Sequence, residues 1–171
     1  QLAAWDLFPS VSFALESALL SFLWPVSTDP ISTSAFLMGS VPEMLSQAKE
    51  REQEGYSLAK IKVGHLDCEQ ALEVITTLKD RFRLRIDVNR AWKAKEALPF
   101  FAQFPLDAFD YIEEPLQNPQ DLPHFSHPLA IDESFPEDLS FEQLETLPAL
   151  KALIYKPMIQ GGMSFYCSHV K

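Results

Sequence analysis

The chain has 171 residues, enough for one substantial core, and its 47% apolar and 22% charged residues are the composition of a globular domain. A formal net charge of −10 argues against nucleic acid or an anionic membrane surface as a partner. No apolar stretch reaches the roughly 18–20 residues that span a bilayer, so the expected partner is a small molecule, and an anionic one would need a local lysine cluster or a metal.

In chain order, the first segment, "PSVSFALESALLSFLW", has apolar residues at Val11, Ala14, Leu15, Ala18, Leu19, Phe22 and Leu23, which is helical spacing, opened by Pro9-Ser10 and closed by Pro25. A turn-rich link, "VSTDPIST", follows. Strands are then predicted over 35–39, 58–64, 83–89, 108–115, 128–135 and 150–157. Helices are predicted between them over 41–55, 68–82, 94–104 (bent by Pro99), 119–125 and 140–147, with a last helix opening after "QGG". Six strands each followed by a helical stretch imply a parallel α/β fold with right-handed crossovers, either a doubly wound sheet or a (β/α) barrel. No G-x-G-x-x-G follows the first strand, which weakens the nucleotide-binding version.

The strand ends carry the chemistry. Strand two ends in Lys60 and Lys62, strand three in Asp87 and Asn89, strand four in Glu113 and Glu114, strand five in Asp132 and Glu133, and strand six in Lys156. The steps from Lys62 to Asp87, Glu113, Asp132 and Lys156 are 25, 26, 19 and 24 residues, one βα unit each. A barrel converges such ends on one mouth, whereas a doubly wound sheet spreads them along an edge, so the pattern favours a TIM-type barrel, here incomplete at about six βα units.

Each residue alone has a plainer reading. "AKIKVG" could be an edge strand with a solvated lysine face, and the acids could be caps or turn residues. Together, Asp87, Glu113 and Asp132 would crowd like charges unless a cation joined them, and an all-oxygen set suits Mg²⁺, with Mn²⁺ as a substitute. Lysines on opposite sides would make a proton-abstraction site, in which the metal stabilises the enediolate left when a proton departs next to a carboxylate. Lys60, beside Lys62, would disfavour the ammonium form of a lysine base. His65, His124, His127 and His169 show no ligand spacing and read as surface or supporting groups. Trp24 and Trp92 read as packing residues, and Cys68 as a buried or helix-start thiol. Cys68 and Cys167 lie far apart, which with no signal-peptide pattern predicts a reducing, cytoplasmic setting.

The motifs "KIKVG", "RIDVNRAW", "YIEEPL", "AIDES" and "YKPMIQGG" together resemble the enolase superfamily, muconate-lactonizing branch, and within it the o-succinylbenzoate synthases of menaquinone biosynthesis. The resemblance implies that Lys62 is the general base and then the general acid, that Lys60 tunes it, and that Asp87, Glu113 and Asp132 ligate Mg²⁺. It implies that Asn89 and Glu133 support them, that Lys156 is a cation over the substrate ring, and that Gly161 and Gly162 let backbone approach the substrate. The implied reaction is a syn dehydration of a cyclohexadiene carboxylate. Dipeptide epimerases, N-acylamino acid racemases and muconate cycloisomerases share these motifs, and in epimerases the lysine corresponding to Lys156 is a second base. An inactive barrel fragment is a further alternative. The resemblance divides the chain into a helix and link over 1–30 and a partial barrel over 31–171, without the N-terminal capping domain or the last strands. The start at Gln1 and the stop at Lys171 within a helical pattern also predict a fragment.

Overall fold

A computed structural model describes residues 6–24, 29–135 and 137–162. The chain divides into two compact units, Ser32–Leu153 and Gln1–Ile31 with Ile154–Lys171.

In the larger unit, β1 (Ala35–Leu37), β2 (Leu58–Lys62), β3 (Arg83–Asp87), β4 (Tyr111–Glu113), β5 (Leu129–Ile131) and β6 (Leu150–Leu153) form one sheet. All neighbouring pairs are parallel and the spatial order equals the chain order. A doubly wound sheet reverses direction at a switch point, and this one does not. It is the arc of an incomplete (β/α) barrel, as the spacing of the strand-end residues predicts.

The connecting helices are α2 (Val41–Gln53), α3 (Cys68–Leu78), α4 (Ala94–Phe101) and α5 (Phe141–Glu145). Each start is written locally. At α3, Asp67 accepts the Gln70 amide at 2.9 Å while the Gln70 side chain accepts the Asp67 amide at 3.3 Å. At α2, the Glu43 carboxylate accepts from the Ser40 amide at 2.7 Å and hydroxyl at 2.6 Å. The expected short helix near residue 120 is a 3₁₀ turn, Pro119–His124, where two prolines each remove an amide donor.

Strand alternation decides what faces where. Ala59, Ile61, Leu84 and Ile86 are fully buried, as are Val74, Ile75 and Leu78 on α3, each valine, leucine or isoleucine contributing about 1.5–3 kcal/mol of burial. The intervening residues of β2 and β3 are polar: Lys60, Lys62, Arg83, Arg85 and Asp87. Around α4, Trp92 packs edge-on against Phe100 at 4.9 Å, the packing role its sequence suggested. Of the histidines expected as surface or supporting groups, His127 is buried among Phe101, Phe109 and Phe125, where its Nε2–H finds the Phe104 carbonyl at 3.1 Å. Cys68 is the exposed first residue of α3.

At the end of the sheet opposite the lysines, Asp110 receives Arg83 at 2.6 Å, Arg85 at 2.8 Å and Lys151 at 3.1 Å. Lys151 can reach because it is the extra residue where the β5–β6 register slips between Leu129 and Ala130. Long side chains from β3 and β6 thus meet on one carboxylate placed just before β4.

The second unit contains α1 (Pro9–Leu23) and α6 (Pro157–Gln160). The helix expected from the first segment forms, yet it buries none of its residues, and Trp24 is exposed rather than packed. The helix expected after Gly162, with Cys167 and His169, lies outside the described residues.

Candidate active site

Parallel pairing brings the C-terminal ends of all six strands to one edge. Register does the rest: Lys62 pairs with Asp87 and Asp87 with Glu113, so a base, an acid and an acid stand side by side on β2, β3 and β4. Gly64 makes this junction possible. A Cβ there would run into the Val88 carbonyl, so only glycine lets the chain leave β2 this close to the end of β3.

Lys60 Nζ donates to both Glu113 oxygens at 2.7 Å and lies 3.1 Å from Asp87. Lys62 Nζ donates to Asn89 Oδ1 at 2.9 Å and lies 3.4 Å from Asp87. Both lysines therefore face carboxylates as well as each other. Burial opposes the Lys60 ammonium, but the Glu113 hydrogen bond and charge, with Asp87, outweigh it and raise its pKa. Burial pushes Glu113 up to about 7, with Asp87 and Asp132 adding to the rise and Lys60 opposing it.

Asn89 joins the lysine to the turn after β5, since its Nδ2–H reaches Glu133 at 3.3 Å. Three residues just past β3 and β4, Asn89, Arg90 and Glu114, adopt φ of 48°, 58° and 45°. Such left-handed backbone in non-glycine residues is costly and gathers at functional sites. In Glu114 the turn sends the side chain away from Glu113, into a fully buried position.

Asp132 stands one layer further out. Its strand partner level is Ala130, which pairs with Glu113, and Asp132 follows two residues later. Among the described residues no three acids, histidines or cysteines are gathered closely enough to hold a metal ion. The structure unites Asp87 and Glu113 on Lys60, and Asp132 acts on Glu113 through its charge. The donor set is nonetheless that of a hard cation: three carboxylates, each at most 4% exposed, on adjacent strand ends, with Lys60 on Glu113 and Asp87 and Lys62 beside Asp87. Lys156, Gly161 and Gly162 belong to the smaller unit, where Tyr155 Oη lies 2.6 and 2.8 Å from the two glycine carbonyls and Glu16 fills the space a Cβ at Gly162 would take.

The model of the enolase C-terminal domain-like family matches residues 43–166. The chain belongs to that family. It is 31% identical to "Protein PHYLLO, chloroplastic" of Arabidopsis thaliana over 94% of the chain and 11% of that protein. It is also 31% identical to the o-succinylbenzoate synthase of Aliivibrio fischeri over 91% of the chain and 50% of the synthase. Thus the chain spans half or less of these curated relatives. Among solved structures, o-succinylbenzoate synthase of Thermosynechococcus elongatus, with magnesium in its active site, superimposes with a TM-score of 0.72 at 22% identity, covering 95% of this chain and 56% of that one. A dipeptide epimerase of Cytophaga hutchinsonii, complexed with magnesium and D-Ala-L-Val, gives 0.65 at 24% identity over 82% and 42%. No helix of the described residues is long and apolar enough to cross a membrane.

Proposed function

We propose that the protein carrying this chain is a metal-dependent carbon–oxygen lyase, an o-succinylbenzoate synthase. Its substrate would be 2-succinyl-6-hydroxy-2,4-cyclohexadiene-1-carboxylate, and its product 2-succinylbenzoate for menaquinone biosynthesis. The observation that carries this reading is Lys62 in register with Asp87 and Glu113, with Lys60 between the two acids. Asp87, Glu113 and Asp132 would hold Mg²⁺, or Mn²⁺ in its place, which when bound supplies positive charge beside the substrate carboxylate.

Lys62 Nζ takes the proton from the carbon bearing the carboxylate, and Asn89 orients that amine through its 2.9 Å contact. The resulting ammonium hands the proton to the departing hydroxyl on the same face. One C–H and one C–O bond break, water leaves and the ring becomes aromatic. Lys60 keeps Glu113 and Asp87 from collapsing apart by mutual repulsion. Lys156 would serve as a cation over the ring, and Gly161 and Gly162 would admit the succinyl tail. Replacing Lys62 by Ala is expected to lower turnover by about 10²–10⁴-fold or more. Full turnover in that variant would defeat the reading.

The second reading is a dipeptide epimerase or N-acylamino acid racemase with Lys62 and Lys156 as opposed bases, supported by the likeness to the Cytophaga hutchinsonii enzyme. Offering the cyclohexadiene carboxylate and, separately, dipeptides in D₂O separates the two. Aromatic product without dipeptide labelling supports the synthase, and deuterium at an amino-acid α-carbon without dehydration supports the epimerase.

A further inference from the structure

Of the two strand-end carboxylates that the proposed reaction leaves unused, Glu114 and Glu133, Glu114 accepts three hydrogen bonds from the segment after β5. Glu114 directly follows Glu113, is fully buried, and holds φ of 45°. Its Oε1 accepts the Asp132 amide at 2.7 Å and the Ser134 amide at 2.8 Å, and its Oε2 accepts the Ser134 hydroxyl at 2.6 Å. Its own carbonyl accepts the Arg90 amide at 2.9 Å, and its amide donates to the Ala130 carbonyl at 3.1 Å. One residue thereby joins the turn after β3 to the turn after β5. Three donors on one buried carboxylate fix the backbone from 132 to 134 more firmly than loop contacts do, because breaking any of them strands a buried polar group.

In the groove between α3 and the segment after α4, the polar groups are already bonded, Lys79 to Asp80 and Thr76 and Gln103 to backbone carbonyls, and beside Phe104 the His127 ring is bonded to the Phe104 carbonyl. The Asp110 cluster is internally paired.

We propose that Glu114 is a positioning residue that sets the place of the Asp132 carboxylate by clamping its amide, and so sets the cation affinity of the rim. This rests on the reading of Asp132 as a ligand given above. The strained φ is consistent with it: left-handed backbone is what turns the Glu114 side chain from the lysine face toward the β5 turn. Glutamine would keep the clamp, since its oxygen can accept both amides while its NH₂ donates to the Ser134 hydroxyl oxygen.

The experiment is Mn²⁺ and Mg²⁺ binding, by electron paramagnetic resonance and calorimetry, to the protein carrying this chain and to its Glu114→Ala, Glu114→Gln, Ser134→Ala and Asp132→Ala variants. Glu114→Ala is expected to bind about 10–100-fold more weakly, the usual cost of losing a group that orients a ligand. Glu114→Gln is expected to stay close to the parent, and Ser134→Ala to fall between. A loss of melting temperature without a change in affinity of the folded protein would overturn the proposal, because a purely structural carboxylate moves the first and not the second. If Glu114→Ala does not fold, Ser134→Ala decides alone, and parental affinity there overturns the clamp. If Asp132→Ala binds weakly while Glu114→Ala and Ser134→Ala bind like the parent, the clamp fails and the ligand reading stands. If Asp132→Ala binds like the parent, the ligand reading fails and the clamp falls with it.

Discussion

Lys60 shows how one side chain can hold two acids that would otherwise repel. Glu113 is fully buried and Asp87 nearly so, and both face this ammonium within 3.1 Å. Replacing Lys60 by Met leaves two carboxylates without their shared cation in a site poor in water. The expected cost is about 2–4 kcal/mol, toward the lower end because Lys60 itself is partly exposed. Urea unfolding in metal-free buffer checks this, and an unchanged midpoint would show that the contacts are incidental. The identities of these residues were readable in the sequence, since strand alternation alone puts Lys60 and Lys62 on one face. Their partners were not. That Asn89 faces Lys62, or that Glu114 turns toward Ser134, depends on positive φ values that alternation does not encode.

At the scale of elements, the boundaries follow from local chemistry. All six strands occur where predicted, because each is a short apolar run closed by polar residues. Their lengths came out shorter: β4 is Tyr111–Glu113 within the expected 108–115, since the left-handed Glu114 ends it. Asp132 lies a layer above its expected companions because the β4–β5 register sets Ala130, two residues earlier, opposite Glu113. The β2–β3 junction makes a sharper prediction. Gly64→Ala must push the Val88 carbonyl aside, at an expected cost of about 1–3 kcal/mol. The same change should lower activity more than Asp67→Ala, which removes the α3 cap for about 1 kcal/mol. Thermal melts and turnover measured side by side distinguish a displaced rim from a merely weakened helix.

At the scale of the whole molecule, the sequential parallel sheet separates two kinds of electrostatics. The lysines and acids of β2, β3 and β4 stand at the C-terminal ends, while Asp110 gathers Arg83, Arg85 and Lys151 at the other. That second cluster had no visible signal, because it needs the slipped β5–β6 register to bring Lys151 within reach. Burial opposes ionisation of Asp110, but the Arg85 and Lys151 hydrogen bonds, with the charges of Lys151 and Arg83, hold its pKa below the ordinary aspartate range. In the window between the folded and unfolded values, the unfolded chain binds more protons, so stability rises with pH there. The contribution is complete above about pH 4 and is lost as pH falls through the folded value. Asp110→Asn should therefore be less stable at pH 7 and flatter in its acid denaturation curve, which circular dichroism from pH 2 to 7 reads directly. The knot of charge at the foot of the sheet has a longer consequence. Side chains on the opposite rim can be exchanged while strands three, four and six stay moored from below by Asp110 and its three cations.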